Sequence, residues 1–339
     1  MSSMSIGGEM AMAIAGRISK HTYRDGGTMT LLLGDKGSGK TTGLLNLAAG
    51  VQCRDDTDPG WQAETVIWRA RSIDYWTRID PGRRVVWLHC EDVDRIRFSA
   101  DGVRPMLPPL MTYESTADLL DQIQERRGMI HVIYSPSGVY DVDERFRDEL
   151  AMDRREIYKA LLKRHIDIEA LFWYELFYML TRYTSREFFC SVVLDELQRL
   201  FPPSTRGLRY HIQALIALEI LPDFRKQNKS LFAAAHSTQN IDYRIYPLIQ
   251  VYGYMRGARP IKGSQVKVGL GLQDPGVVMW DSGNYGRMRF NVTPNLPLVI
   301  TDREIVKMPK VILNTTRQGS EYLGDVDLPV LVEAEEDER

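Results

Sequence analysis

An apolar, strand-like run at 28–33 passes directly into the sequence Gly-Asp-Lys-Gly-Ser-Gly-Lys-Thr at 34–41, and a helix-compatible segment follows at 42–49. The central stretch fits the pattern G-x-x-x-x-G-K-[S/T], in which the backbone N–H groups of a glycine-rich turn surround phosphate oxygens. The strand before it and the helix after it are the context that this pattern needs, because the helix adds its positive N-terminus to the site. The feature therefore requires an α/β core with a phosphate-binding loop.

Each residue type in the loop has a physical task. Gly34, Gly37 and Gly39 let the backbone curl so that successive N–H groups point at phosphate oxygens. Lys40 is predicted to reach the β- and γ-phosphates, and the Thr41 hydroxyl is predicted to ligate Mg²⁺. The predicted nucleotide-binding residues are Gly34, Gly37, Ser38, Gly39, Lys40, Thr41 and Thr42. Asp35 and Lys36 occupy free positions of the pattern and are assigned no role.

A second apolar run, Phe188–Leu194, ends in two acids, Asp195 and Glu196. In a nucleotide hydrolase the first acid holds the metal ion, and the second can polarise the attacking water. An ordinary strand that runs into a helix N-terminus also favours acids at this place. The presence of the phosphate-binding loop favours the first interpretation, with Asp195 as metal ligand and Glu196 as catalytic base.

A third apolar run, Leu231–Ala235, is followed by polar residues from His236 to Gln239. If this strand lies beside the acid-bearing strand, its carboxyl end meets the γ-phosphate, since ligands bind at the carboxyl ends of strands in such sheets. Gln239 would then sense phosphate or orient water. The alternative is a surface amide in a loop. His236 is expected to pack or to make a local hydrogen bond.

The middle of the chain alternates short apolar runs with helical stretches, which is typical of an α/β fold with helices on both faces of a parallel sheet. The predicted strands are Met29–Leu33, Thr65–Trp68, Val85–His89, Ile130–Tyr134, Phe188–Leu194 and Leu231–Ala235. The predicted helices are Lys40–Ala49, Ala117–Arg126, Glu144–Arg182 with a break near its middle, and Leu208–Leu221. Beyond Gly257, short strands are predicted as a β-rich appendage or an antiparallel addition to the sheet, at Val266–Leu272, Val277–Trp280, Arg287–Val292 and Pro297–Ile300.

Composition excludes several classes of protein. Lys and Arg number 43 against 45 Asp and Glu, which excludes a generally basic nucleic-acid coat but leaves room for a local basic patch. Cys53, Cys90 and Cys190 form no metal-binding or disulfide pattern. No run reaches the roughly 20 apolar residues that cross a bilayer, so we expect a cytoplasmic protein or one associated with a virion.

The three motifs together resemble those of the HerA/FtsK superfamily of P-loop ATPases, which includes DNA-pumping motors and the genome-packaging ATPases of internal-membrane viruses. The family has a basic helix end, a small-residue strand that closes in Thr-Gln, and a polar segment with Ile-Asp. Residues 223–242 follow this order, with Thr238 and Gln239 at the close of the strand. The loop and the Asp-Glu strand end match the other two motifs, and the resemblance covers about 28–255.

The resemblance implies a fold class and an organisation. The fold is expected to be α/β, a RecA-like P-loop NTPase core with a mainly parallel sheet flanked by helices, plus a β-rich C-terminal addition. The cofactors are expected to be ATP and Mg²⁺. The predicted segments are an N-terminal arm at 1–27, the ATPase core with insertions at 28–255, a β-rich extension at 256–325 and an acidic tail at 326–339.

The resemblance also implies a ring, expected to be a homo-hexamer, with ATP sites at the subunit borders. An arginine from the neighbouring subunit then stabilises charge on the transferred phosphoryl group. By its position before the Thr-Gln strand, Arg225 is the first candidate for this catalytic arginine, and Arg209 is the second. For both, a solvated surface arginine is the alternative.

A second resemblance adds a rival base. The stretch 84–92, which ends in Glu91 and Asp92, is similar to the second strand of RecA-type ATPases, which can carry a catalytic glutamate there. Glu91 and Glu196 are therefore rivals for the activation of water. We favour Glu196, because it directly follows the metal-binding acid.

Two segments rich in basic residues remain open. The segment 52–84 holds several arginines and tryptophans and is either a partly buried strand-loop insertion or an element that faces DNA or another subunit. The segment 141–186 holds a basic group at Arg154, Arg155, Lys159, Lys163 and Arg164. This group is either a solvated helix face or a set of contacts to DNA phosphates in a pore.

Three functions follow from these features. The first is a ring ATPase that translocates double-stranded DNA without sequence preference, as a viral or mobile-element packaging motor with a capsid or membrane-vertex partner. The second is a Zot-like ATPase that powers the assembly or secretion of a filament or protein. The third is a nucleotide-switched binding protein, which would not need Glu196.

Overall fold

A computed structural model describes residues 26–52, 64–70, 84–100, 110–138, 140–203, 206–264, 277–281, 288–291, 310–317 and 320–327. The strands are β1 Met29–Leu33, β2 Thr65–Ala70, β3 Arg84–His89, β4 Ile96–Ala100, β5 Leu110–Tyr113, β6 Ile130–Tyr134, β7 Cys190–Leu194, β8 Lys229–Ala235, β9 Val251–Tyr254, β10 Val277–Asp281, β11 Met288–Asn291, β12 Lys310–Arg317 and β13 Ser320–Asp327. The helices are α1 Lys40–Gln52, α2 Thr116–Glu125, α3 Glu144–Asp153, α4 Arg155–Leu162, α5 Ile168–Arg182, α6 Leu197–Leu200, α7 Leu208–Leu215 and α8 Leu221–Lys226, with a π-helical segment at Ile216–Ile220 between α7 and α8.

Ten of the described strands form one sheet in the order β11–β10–β9–β1–β8–β7–β2–β6–β3–β5. The pairs from β9 to β5 are all parallel, whereas β10 and β11 continue the sheet antiparallel. The predicted fold class, an α/β RecA-like P-loop core with a mainly parallel sheet, is confirmed. The prediction of an antiparallel addition after Gly257 is confirmed by β10 and β11.

Helices cover both faces of the sheet, which explains why its strands are apolar on both sides. Leu31 and Leu33 face a core that α2 to α8 complete. Leu32 faces the other side, where α1 packs. Gly43 in α1 shows how close this packing is, because a Cβ there would lie 2.7 Å from the Leu32 side chain.

The predicted long helix at 144–182 is confirmed as broken, since it forms α3, α4 and α5. The predicted helix at 208–221 continues to Lys226 through the π-helical segment. Strands β4, β5, β9, β12 and β13 were not predicted, and β4, β12 and β13 form a separate three-stranded antiparallel sheet. The predicted strands at 266–272 and 297–300 lie outside the described residues, as do 1–25 of the predicted arm and 328–339 of the predicted tail.

The division of the chain into four segments stays a prediction. Within the described ranges, no helix combines the length and the apolar character that crossing a bilayer requires.

Candidate nucleotide site

The phosphate-binding loop lies at the carboxyl edge of the sheet, between two parallel neighbours. Leu33, the last residue of β1, pairs with Ala235 of β8 on one side and with Tyr254 of β9 on the other. The residues that follow these three strands therefore meet at one edge. The loop itself needs glycine at two of its positions, because φ is +74° at Gly37 and +97° at Gly39.

The entrance of the loop is closely packed. A Cβ on Gly34 would lie 2.6 Å from Ser38 Oγ and 3.0 Å from Met255 Cβ. A side chain at Gly34 would thus displace the turn that places Ser38 and Lys40.

Lys40 is held inside the loop by three acceptors. Its Nζ donates to the carbonyl oxygens of Gly34 and Asp35, both at 2.8 Å, and lies 3.4 Å from His236 Nδ1. An ammonium group can only donate, so Nδ1 of His236 accepts. Burial lowers the pKa of Lys40, and the nearby Asp195 carboxylate opposes this shift. The ammonium is therefore placed where it can exchange these acceptors for phosphate oxygens.

The loop and the acidic strand end meet directly. Thr41 Oγ1 donates to Asp195 Oδ2 at 2.7 Å, although the two residues are 154 positions apart. Asp195 Oδ1 also accepts from the N–H of Glu196 at 3.0 Å. Burial raises the pKa of Asp195, and the hydrogen bond from Thr41 counteracts this rise.

The residues present fit a triphosphate and a magnesium ion. Hydroxyl and carboxylate oxygens are the ligands that Mg²⁺ takes, and Thr41 and Asp195 bring one of each within hydrogen-bond distance. Ser38 Oγ is buried and has no hydrogen-bond partner among the described residues, so a donor faces the loop that a phosphate oxygen would satisfy. Thr42 follows Thr41 in the first turn of α1.

Glu196 has a strained backbone. Its φ of +54° and ψ of +55° place a non-glycine residue in the left-handed region, and such residues cluster at functional sites. Its carboxylate is half-exposed and forms an ion pair with the Arg199 guanidinium. The role of Glu196 as catalytic base stays a prediction.

The polar end of β8 contributes a different residue from the one predicted. His236 contacts Lys40, as stated above, whereas Gln239 lies in a turn at Thr238–Asn240 with its side chain exposed. The side-chain contact with Lys40 at this end of β8 therefore comes from His236, for which only packing or a local hydrogen bond was expected. The catalytic role of Gln239 stays a prediction.

Arg69 supports the site from beneath and was not predicted to do so. It lies in β2, next to β7, with a fully buried side chain. Its guanidinium donates to Glu169 Oε1 at 2.5 Å and to the Asp195 carbonyl at 3.4 Å. A buried cation of this kind fixes the end of β7 through a contact between residues 126 positions apart.

The structure distinguishes between the two interpretations for part of segment 52–84. Arg69 and Arg84 are both buried in strands, so neither faces DNA. This part of the segment is the buried strand insertion of the first alternative. The rest, 53–63 and 71–83, lies outside the described residues.

The two candidate arginines for the neighbouring subunit lie in different surroundings. Arg225 is exposed at the end of α8, and its carbonyl accepts from the N–H of Gly27 at 2.7 Å, which places it at the amino edge of the sheet, opposite the loop. Arg209 is bound within its own chain, to Asp167 at 2.8 Å and to the carbonyl of Arg199. Of the two, Arg225 is the more exposed, and the role of either arginine in a neighbouring site stays a prediction.

Glu91 does not lie beside the phosphate-binding loop. The strand next to β7 is β2, and β3 lies three strands away from β7. At about 4.8 Å per strand this separation is about 14 Å, and β1 is two strands farther. Glu91 is exposed on the turn after β3. The geometry therefore leaves Glu196 as the acid next to Asp195.

Comparisons with known proteins found remote structural similarity. No model of a protein family matches the chain, and no curated protein matches it. The solved structures that resemble it include the genome packaging NTPase B204 from Sulfolobus turreted icosahedral virus 2 in complex with AMPPCP, at 9% identity and a TM-score of 0.39, over 78% of this chain and 96% of that one.

Two further structures are similar. The N-terminal domain of zonular occludens toxin from Neisseria meningitidis is 11% identical with a TM-score of 0.31, over 90% of this chain and 95% of that one. The cytoplasmic domain of the Thermomonospora curvata Type VII secretion ATPase EccC is 15% identical with a TM-score of 0.34, over 79% of this chain and 24% of that one. The fold and the loop together are those of a P-loop NTPase.

Proposed function

We propose that this chain hydrolyses ATP and uses the energy to move double-stranded DNA, as a packaging motor of a virus or mobile element. The observation that carries the hydrolysis is the 2.7 Å contact between Thr41 and Asp195, which brings the phosphate-binding loop and the acidic strand end into one site. Both halves are needed for phosphoryl transfer to water, since the reaction depends on positioning and on charge stabilisation.

The roles of the residues follow from their places. Lys40 exchanges its carbonyl acceptors for β- and γ-phosphate oxygens, and the backbone N–H groups from Gly37 to Thr41 surround the phosphates. Thr41 and Asp195 would hold Mg²⁺, which neutralises phosphate charge when bound. Glu196 leaves Arg199 and orients the attacking water. His236 approaches from β8, on the side of the γ-phosphate.

A row of exposed cations along α4 and at Lys163, the residue that caps its C-terminus, supports DNA as the polymer. Arg155, Lys159 and Lys163 recur every fourth residue, so they share one face over about 12 Å of helix. All three are exposed, and none has an ion-pair partner in the described part of the chain. Ile157 on the opposite face is buried and fixes the orientation of the helix. Like charges at this spacing repel one another, and a row of phosphates relieves that repulsion.

The position of Arg225 supports a ring, which we take to be a hexamer. The loop lies at the carboxyl edge of the sheet and Arg225 at the amino edge, separated by the length of β8, about 20 Å. Arg225 therefore cannot reach the nucleotide of its own subunit. In a ring with head-to-tail contacts it can complete the site of the next subunit.

The test is ATP turnover with and without duplex DNA at low salt. We expect turnover that duplex DNA stimulates, with loss of turnover in Lys40→Ala and retention in Lys226→Ala, an exposed lysine at the opposite edge. Substituting glutamine for Arg155, Lys159 and Lys163 together is expected to leave basal turnover intact and to lower the salt dependence of DNA binding, by about 0.9 in log–log slope for each lost phosphate contact.

Other outcomes favour the other functions. Turnover without any DNA binding, together with capture of a filament or membrane protein, would favour the Zot-like ATPase. Slow hydrolysis that no polymer changes would favour the nucleotide-switched binding protein.

A further inference from the structure

Arg256 lies beside the phosphate-binding loop, on the flank away from the acids. It follows β9, and its carbonyl accepts from the N–H of Asp35 at 2.9 Å. The preceding residue, Met255, donates its N–H to the Leu33 carbonyl at 2.8 Å. These two bonds hold the end of β9 against the entrance of the loop. The position of Arg256 is therefore fixed by backbone contacts that do not depend on its side chain.

The side chain of Arg256 is directed along the loop. Its Nη2 lies 3.7 Å from the position that a Cβ on Gly37 would take, at the exposed tip of the loop. Gly257, with φ at +77°, permits the turn, because a Cβ there would lie 1.9 Å from Asp35 Oδ2. Arg256 is half-buried, and its guanidinium has no ion-pair partner among the residues that the structure describes. A free cation thus stands next to the turn that binds phosphate.

The two flanks of the loop face different parts of a bound nucleotide. Thr41, Asp195 and His236 lie on the side of β8 and β7, so the γ-phosphate faces that side. Strand β9 lies on the other side of β1, about 10 Å from β8 at the usual strand spacing. The α-phosphate and the nucleoside are therefore left to the flank where Arg256 lies.

We propose that the Arg256 guanidinium binds the α-phosphate of the nucleotide held by its own subunit. This inference rests on the proposed nucleotide binding and assigns a side chain to a phosphate that the loop approaches with backbone N–H groups. A guanidinium matches phosphate in geometry and charge, and such charge-assisted hydrogen bonds are the strong ones. The role is in binding and not in the chemical step, because Arg256 stands away from the acids.

The test compares Arg256→Gln with Arg259→Gln, an exposed arginine three residues farther along. Dissociation constants for ATP and for ADP are measured by calorimetry, and turnover gives KM and kcat. In Arg256→Gln we expect both dissociation constants and KM to rise by about 10-fold or more, the usual effect of a lost charged hydrogen bond, with kcat unchanged. Arg259→Gln is expected to behave as the unaltered protein.

Equal weakening of ADP and ATP supports the proposal, because both ligands carry the α-phosphate. Weakening of ATP alone, or a fall in kcat with KM unchanged, would overturn it in favour of a contact to the γ-phosphate. Arg256→Lys keeps the charge without the planar fork, so we expect an intermediate loss of nucleotide affinity. A full loss of affinity together with an altered melting temperature in both Arg256→Gln and Arg256→Lys would point to a structural role. Failure of the unaltered protein to bind either nucleotide would instead remove the proposed function.

Discussion

Two strands of the sheet end in the same way and lie in different surroundings. Strand β7 closes in Asp195 and Glu196, and β3 leads through Cys90 to Glu91 and Asp92. Asp195 accepts from Thr41 of the phosphate-binding loop, whereas Asp92 accepts from the N–H of Ser137 at 2.8 Å and from its hydroxyl.

The difference between these acidic ends comes from the strands beside them. Strand β7 is separated from the loop strand β1 only by β8, whereas four strands lie between β3 and β1. Asp195 therefore meets a hydroxyl that can share a metal ion, and Asp92 meets a turn that it holds in place. An acidic strand end acquires a chemical role from its neighbours and not from its own sequence.

The two acidic strand ends should differ most when the second acid of each pair is neutralised. In Glu196→Gln we expect steady-state turnover to fall by about 10²- to 10⁴-fold, because the group that orients water is lost while nucleotide binding remains. In Glu91→Gln we expect no change, since β3, which precedes Glu91, lies three strands away from β7. Normal turnover in Glu196→Gln together with an inactive Glu91→Gln would reverse the assignment.

The first acids of the two pairs are expected to separate activity from stability. Asp195→Asn should reduce turnover by about 10²- to 10³-fold and raise the Mg²⁺ concentration required, because a charged ligand is lost. Asp92→Asn should leave turnover unchanged and lower the free energy of unfolding by about 1–3 kcal/mol, because the Ser137 donors lose a charged acceptor. Urea denaturation monitored beside turnover distinguishes the two effects, and a loss of turnover in Asp92→Asn would contradict the comparison.

The sequence predicted what is encoded locally and missed what depends on strand order. The loop at 34–41 and the acids after β7 each follow a local sequence pattern. The strands that precede them were therefore predicted correctly. The local patterns left Glu91 and Glu196 as rivals, and the strand order separates them, because β2 and not β3 lies beside β7. Strand β9 was missed, since Val-Tyr-Gly-Tyr is only four residues long and contains a glycine that weakens the strand signal.

Local sequence patterns could not predict the contacts of Arg69 and His236, because these contacts also depend on how the strands pair. Arg69 meets Asp195, and His236 meets Lys40, across 126 and 196 positions of the chain. From the sequence alone, an arginine or a histidine whose partner is unknown is interpreted as an ordinary core or surface residue. Only the register of β1 with β8, and of β7 with β2, brings the partners together.

A buried carboxyl in the helical layer makes the stability of the protein depend on pH. Glu175 in α5 accepts from Tyr140 Oη at 2.6 Å and from the Asp143 N–H at 2.7 Å. Burial raises the pKa of Glu175 from 4.5 to about 7. The folded state therefore binds this proton more tightly than the unfolded state. The resulting stabilisation is fully present below about pH 4.5 and is lost as the pH rises through 7.

Glu175→Gln is expected to remove this pH dependence. The free energy of unfolding of the unaltered protein should fall by on the order of 3 kcal/mol more than that of the variant between pH 4.5 and pH 8. Denaturation with urea across this range measures the difference. Turnover at neutral pH should be retained, because Glu175 touches the helical layer and not the loop. Parallel stability profiles for the two proteins would show that the carboxyl does not titrate in this range.

The smallest expected effect concerns the hydroxyl that binds Asp92. Ser137→Ala removes the hydroxyl donor to that carboxylate and keeps the backbone N–H at 2.8 Å. The loss should lower the free energy of unfolding by about 1 kcal/mol and leave turnover and the dissociation constant of ATP unchanged. Thr41→Ala removes the corresponding hydroxyl, which donates to Asp195. This variant should instead lower turnover and alter its dependence on the Mg²⁺ concentration. If both substitutions acted on stability alone, the contact between Thr41 and Asp195 would be as structural as the one between Ser137 and Asp92, and the distinction between the two acidic ends would disappear.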